Sequence, residues 1–186
     1  MTMLKRFVFS TMLALFSATV FAAPRTYNVQ VIVFSHLTAQ TLAGEQWPVI
    51  SPPTVNAPTP SHSATALQAE ANTLRKNPEY QVLFSGSWIQ TWNNDSGTIT
   101  LPLSNGNNLQ GTMTVTLGHY FDIHTNLFFT QPINLLQRID TSGYFSQLSQ
   151  SDFTFALSQD RRMKSGELNY LGNPVMGVLI KILKNG

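Results

Sequence analysis

DFTFALSQDRRMKSGELNYLGNPVMGVLIKILKNG, residues 152–186, holds a strand, a charged turn and a second strand in one piece. Phe153, Phe155 and Leu157 alternate with other residues in the period-two pattern of a half-buried strand, and Val175 to Leu183 is an apolar run of strand length. Between them stand three cations (Arg161, Arg162 and Lys164), one carboxylate (Glu167) and Tyr170, with Lys164-Ser165-Gly166-Glu167 reading as a turn. Polar groups this dense between two core strands form either a ligand site or a structural clasp. Guanidinium forks grip carboxylates in pairs of hydrogen bonds, which makes a site. Neighbouring arginines on a strand point to opposite faces, which makes a clasp with one arginine paired to Glu167 and the other in water. Both readings stay open at this stage.

Working back from that stretch, Gly111 to Phe129 (GTMTVTLGHYFDIHTNLFF) places Met113, Val115, Leu117, Phe121, Ile123, Leu127 and Phe129 on odd positions and Thr112, Thr114 and Thr116 on even ones. This predicts one long antiparallel strand, with a bend near Gly118 or a turn near Thr125-Asn126. Gln131 to Ser151 is weakly patterned and receives no element. Asn105-Gly106 is a hairpin-type turn. Thr98 to Leu103 is a short strand that Pro102 confines to a sheet edge. Tyr80 to Trp92 (YQVLFSGSWIQTW) reads as a strand with Tyr80, Val82, Phe84, Gly86 and Trp88 on one face, and with a bulge or close approach at Gly86.

At the other end, Tyr27 to Phe34 (YNVQVIVF) alternates Tyr27, Val29, Val31 and Val33 against Asn28 and Gln30. The apolar Ile32 and Phe34 then occupy the polar face, so the far end of this strand is expected to be covered on both sides. Residues 35–63 lose all periodicity, and Pro48, Pro52, Pro53, Pro58 and Pro60 predict an extended loop, with Trp47 as its anchor over a sheet edge. Ser63 as N-cap, then Ala64, Leu67, Ala71 and Leu74 at helical spacing, predict one amphipathic helix ending before Pro78. A helix between two strands suggests a βαβ or split-βαβ start. The elements add up to a single α+β domain over residues 23–186: a largely antiparallel sheet of about five or six strands with one main helix packed on one face.

Lys5 and Arg6 precede an apolar run from Phe7 to Phe21, so residues 1–22 read as a secretory signal peptide cut after Ala22, too short for a stable membrane anchor. Of 186 residues, 164 then remain, and without Lys5 and Arg6 the 11 Lys+Arg fall to 9 against 9 Asp+Glu. A neutral mature chain gives no reason to expect nucleic acid. The absence of cysteine removes disulfides, thiol catalysis and Cys-type zinc sites. His36, His62, His119 and His124 lack ligand spacing, so no metal or other cofactor is expected, and His119 shares the parity of the apolar face as a core histidine would. No nucleophile elbow or phosphate-cradling loop is present. The nearest carboxylate pair, Asp160 with Glu167, brackets a cationic turn and is better placed for ion pairs than for glycoside hydrolysis. The chain therefore reads as a non-enzyme. Trp88, Trp92 and Tyr170 carry flat faces on which sugar rings could stack.

These motifs resemble the CsiV family of periplasmic peptidoglycan-binding proteins. The resemblance runs from Tyr27–Phe34 through Trp88-Ile89-Gln90 and Gly111–Phe129, and is strongest at Arg161-Arg162-Met163-Lys164-Ser165-Gly166-Glu167-Leu168 and at Pro174 to Ile182. It implies a periplasmic, non-enzymatic protein that binds peptidoglycan and supports a penicillin-binding synthase through its outer-membrane lipoprotein activator. With it, the candidate ligand residues become Arg161, Arg162 and Lys164 gripping stem-peptide carboxylates, Trp88 or Tyr170 against sugar, and Glu167 within the same turn. Asn169 and Asn173 stand where the family usually has histidine and Gly172 where it has aspartate, and His119-Tyr120-Phe121-Asp122 lacks the usual arginine and histidine. A different reading, an envelope protein-docking module, uses the Pro-rich loop and an edge strand.

Overall fold

The structure is a computed structural model that describes residues 24–51, 63 and 67–185. The signal-peptide stretch, Ala64, and Pro52, Pro53, Pro58 and Pro60 of the loop lie outside the described residues. Eight strands follow one another: β1 (Arg25–His36), β2 (Tyr80–Trp92), β3 (Gly97–Pro102), β4 (Leu109–Leu117), β5 (Phe121–Pro132), β6 (Asp152–Met163), β7 (Leu168–Gly172) and β8 (Met176–Lys184). They form two four-stranded sheets, β2-β1-β8-β7 and β3-β4-β5-β6. Every named pairing is antiparallel. The expectation of a single sheet of five or six strands is thus corrected to two sheets of four, with a few short helices added: α1 (Ala39–Ala43), α2 (Gln68–Lys76) and α3 (Ile133–Ile139).

The reason for two sheets lies in how much apolar surface the strands present. Val29, Val31 and Val33 of β1 and Ile180 and Ile182 of β8 share one core with Val115 of β4, Ile123 and Leu127 of β5 and Phe155 of β6. A helix of nine residues such as α2 spans only ~14 Å and cannot cover a sheet of 12- and 13-residue strands. The second sheet does that covering. Helix α2 instead covers the outer face of the first sheet, where Ile32 and Phe34 meet Leu67 and Ala71 in a separate small core. The double-sided burial expected of the far end of β1 is present. The helix ends before Pro78, as expected, but Ser63 does not cap it. Leu67, at φ 45°, occupies the N-cap without a side-chain bond. Ser63 exchanges backbone hydrogen bonds of 3.0 and 2.9 Å with Ser87 on the outer edge of β2. β1 and β2 are antiparallel neighbours, so the connection between them is not a βαβ crossover.

Two further expectations change for reasons of parity. Val33 pairs with Phe84 and Phe34 with Val82, so Leu83 is the extra residue and the irregularity falls there and not at Gly86. A bulge of one residue swaps faces. Tyr80 and Val82 therefore pack on the α2 side while Phe84 and Trp88 face the sandwich interior. Residues 109–132 form a hairpin in place of one long strand, turning through Gly118-His119-Tyr120, and odd residues pair with odd ones: Leu117 with Phe121, Met113 with Thr125, Gly111 with Leu127. Cross-strand partners share a face, so the apolar parity runs unbroken through the turn. His119 sits exposed in that turn, which overturns its reading as a core histidine.

In the Pro-rich stretch, residues 39–43 form helix α1, capped by Thr38, whose Oγ1 accepts from the Thr41 N–H while Thr41 Oγ1 accepts from the Thr38 N–H. Trp47 does anchor the stretch over an edge. Its ring meets Phe155 of the edge strand β6 edge-on at 5.0 Å, and its Nε1 donates to the Leu42 carbonyl at 2.9 Å. The Tyr144 hydroxyl donates to the Trp47 carbonyl at 2.6 Å, tying this corner to the segment after α3.

Candidate functional site

The turn from β6 to β7 leads from the edge of one sheet to the edge of the other. Side chains close the gap between these two edges. Gln159 Nε2 donates to the Gly172 carbonyl at 2.8 Å and its Oε1 accepts from the Gly172 N–H at 2.9 Å. Arg161 Nε donates to Asn169 Oδ1 at 3.1 Å, and Asn173 Nδ2 donates to the Ala156 carbonyl at 2.9 Å. Glu167 Oε2 accepts from the Lys164 N–H at 3.0 Å, while the Gly166 N–H and the Ser165 hydroxyl donate to Ile182. Glu167 thus shapes the turn and pairs with neither arginine. The Lys164 ammonium has no ion-pair partner among the described residues. Asn169 and Asn173 have clasp roles here, and Asn173 also accepts from the N–H groups of Val175 and Met176.

Arg162 points the other way, to the outer face of the second sheet, where register builds two cross-strand rows. The first runs Thr98, Thr116, Asp122, Arg162 and the second Thr100, Thr114, His124, Asp160. Arg162 grips Asp122 with both edges of its fork, Nε to Oδ1 at 2.7 Å and Nη2 to Oδ2 at 3.2 Å. The hydrogen bond from Arg162 holds the Asp122 carboxyl below its usual pKa, more than slight burial raises it, and the charge of Arg162 adds to the lowering. The guanidinium lies 6.0 Å over the Tyr120 ring, within cation–π reach. His124 Nδ1 is 2.8 Å from Asp160 Oδ1, so Asp160 is partnered by a histidine and not by the cationic turn. The threonine hydroxyls bond across the strands at 3.0 and 3.1 Å. Together the charged members and Thr114 and Thr116 line an open cleft of about 490 Å³.

The predicted aromatic partners do not join this cleft. Trp88 is only 7% exposed and stacks on Phe84 at 5.8 Å inside the sandwich, and Trp92 is buried against Tyr27 and Phe121, so neither offers a face to a sugar. Tyr170 is 50% exposed but belongs to the outer face of the first sheet, where it stacks on Phe34 at 6.3 Å. Burial, and then the neighbouring Tyr80, hold its phenol above the ordinary pKa. The six predicted residues therefore divide. Arg161 and Glu167 serve the clasp, Arg162 the outer cleft and Tyr170 the opposite face, while Lys164 is exposed on the turn and Trp88 lies in the core. The physical cause is the alternation of a strand combined with a turn that changes sheets. Asp122, His124 and Asp160 were missed as site residues. Their signal was the even parity that Thr112, Thr114 and Thr116 begin and that the hairpin carries into β5.

Among the described residues no three His, Cys, Asp or Glu side chains gather as a metal site, and no helix is long and apolar enough to cross a membrane. No curated protein and no solved structure matches the chain. Residues 55–185 match the family described as peptidoglycan-binding protein, CsiV. That span takes in β2 to β8, and with them the clasp and the polar cleft, and leaves β1 outside. On a match of this extent, the chain belongs to the CsiV family of peptidoglycan-binding proteins.

Proposed function

We propose that this protein is a non-enzymatic, periplasmic peptidoglycan-binding accessory of cell-wall synthesis, and that it holds the wall polymer on the polar outer face of its second sheet. The observation that carries this reading is the pair of cross-strand rows ending in Asp122–Arg162 and His124–Asp160 beside the threonine ladder. A nearly flat, water-facing array of hydroxyl, carboxylate, imidazole and guanidinium groups matches a polymer of amide-bearing sugars and short acidic peptides. Arg162 exchanges Asp122 for a stem-peptide carboxylate while the threonines meet sugar hydroxyls and amides. Arg161 and Lys164 stand along the same strand end as secondary cations.

Co-sedimentation with insoluble sacculi tests it, using residues 23–186. Binding that falls as salt rises fits a charge-gripping face. Release of soluble muropeptides during the incubation would instead mark a hydrolase. The wider role, support of a penicillin-binding synthase through its outer-membrane lipoprotein activator, rests on the family resemblance.

A second reading, docking on such an envelope protein without direct glycan binding, draws on β2. Its outer edge already takes one extended residue, Ser63, and Ile89 on the same strand is 61% exposed. Deleting residues 52–62 would then abolish capture of the lipoprotein or synthase and leave sacculus binding intact.

A further inference from the structure

The outer face of the first sheet carries a feature that the polar cleft does not use. β7 and β8 meet at a Gly172–Gly177 pair, and the ring of Tyr170 lies across both. A Cβ at Gly172 would overlap the Tyr170 hydroxyl, and one at Gly177 would stand 2.7 Å from its Cε2 and 2.5 Å from the Phe34 ring. The two missing side chains form a recess into which the tyrosine is laid flat. Phe34 supports one edge of that ring at an interplanar angle of 29°, and the side away from the sheet remains in water. Beside it opens a small cavity of about 170 Å³ reached by His36, Tyr80 and Asn173. His36 stacks on Tyr80 at 4.4 Å, and its buried Nε2 has no hydrogen-bond partner, the Glu79 carboxylate at 3.4 Å standing outside hydrogen-bond geometry. The Tyr170 hydroxyl likewise makes no hydrogen bond among the described residues.

An aromatic plane fixed from behind, with a phenol free of protein partners at its rim and a small polar-walled cavity beside it, has the make-up of a pyranose subsite. The apolar C–H face of a sugar covers the ring while its hydroxyl and acetamido groups meet the Tyr170 phenol and enter the cavity beside it. We infer that Tyr170, seated on Gly172 and Gly177 beside His36, is a saccharide-binding platform for an N-acetylated sugar of the glycan strand, on the opposite side of the sandwich from the Arg162 cleft. This inference rests on the peptidoglycan reading and divides the polymer between two faces: glycan on the first sheet, peptide carboxylate on the second.

The test is an NMR titration of the mature chain with a β-1,4-linked N-acetylglucosamine tetramer, alongside sacculus co-sedimentation. The expected result is shifts centred on Tyr170, Gly172 and Gly177, affinity reduced about tenfold or more in Tyr170→Ala, a smaller loss in Tyr170→Phe, which keeps the ring and removes the hydroxyl, and affinity kept in Arg162→Ala. Gly172→Ala, which tilts the ring without removing it, is expected to weaken the tetramer as well. Shifts centred on Asp122 and Arg162, or full affinity in a folded Tyr170→Ala, would overturn the platform and leave peptidoglycan binding standing. A protein that pellets with sacculi yet ignores the tetramer would also overturn it. Failure to pellet would remove the peptidoglycan reading as well.

Discussion

The two sheets have matching inner faces and unlike outer ones. Inside, both present Val, Ile, Leu and Phe to a common core. Outside, the first sheet is apolar where α2 sits on Ile32 and Phe34 and aromatic where Tyr170 lies, whereas the second carries threonines and ion pairs in open water. The lesson is that position on an outer face does not define a surface. On the first sheet the even residues at the far end of β1 are a second core; on the second sheet Asp122, His124, Asp160 and Arg162 stand in water, while Phe128 and Thr154 farther along the same face are buried.

Equivalent truncations on the two outer faces should break this symmetry most visibly. Ile32→Ala removes a fully buried side chain and is expected to cost ~2–5 kcal/mol in urea unfolding. Thr114→Ala on the other outer face should stay within ~0.5 kcal/mol, and equal losses would erase the distinction. The seam between the sheets comes next. Gln159→Ala leaves the Gly172 N–H and carbonyl without their side-chain partner, an expected loss of ~1 kcal/mol, with faster hydrogen exchange along β7. A variant as stable as the parent would mean that the clasp holds nothing.

Arg162→Ala sharpens the contrast from the functional side. The unfolding midpoint should barely move, because the pair is exposed and screened by water, while sacculus affinity drops about tenfold and its salt dependence flattens. A subtler effect is electrostatic. Asp122 has a folded pKa below its unfolded value, through Arg162 first. Its pairing therefore contributes above the unfolded pKa and is lost as pH falls through the depressed one. In a carboxyl-carbon titration Asp122 should protonate below the ordinary aspartate range, and Arg162→Ala should return it there. An Asp122 titration indifferent to Arg162 would contradict the bidentate contact.

Much of the fold can be read from alternation alone: β1 with its doubly covered end, the edge strand at Pro102, β6, β8 and the helix that stops short of Pro78 lie where period and punctuation put them. Gly118 was expected as a bend, but the full reversal there was hidden because odd residues meet odd residues across it, so the apolar parity is the same for one strand or two. The bulge at Leu83 was hidden because its local sequence, Val82-Leu83-Phe84, is apolar on either parity. Gly86 attracted the bulge only by being a glycine. In the candidate site, composition marked Arg161, Arg162, Lys164, Glu167 and Tyr170 as a group, but membership of different sheets separates them. Asp122 and His124 acquire meaning only once register sets them opposite Arg162 and Asp160, which no local pattern contains.

Reversing the charge of Arg162 on the polar face asks the question most directly. Arg162→Glu in residues 23–186 should retain the parent's unfolding midpoint to within a degree or two, at about the level of other surface changes, and lose most of its co-sedimentation with sacculi at low salt. A folded Arg162→Glu protein that pellets as the parent does would show that peptidoglycan is not held on the outer face of the second sheet.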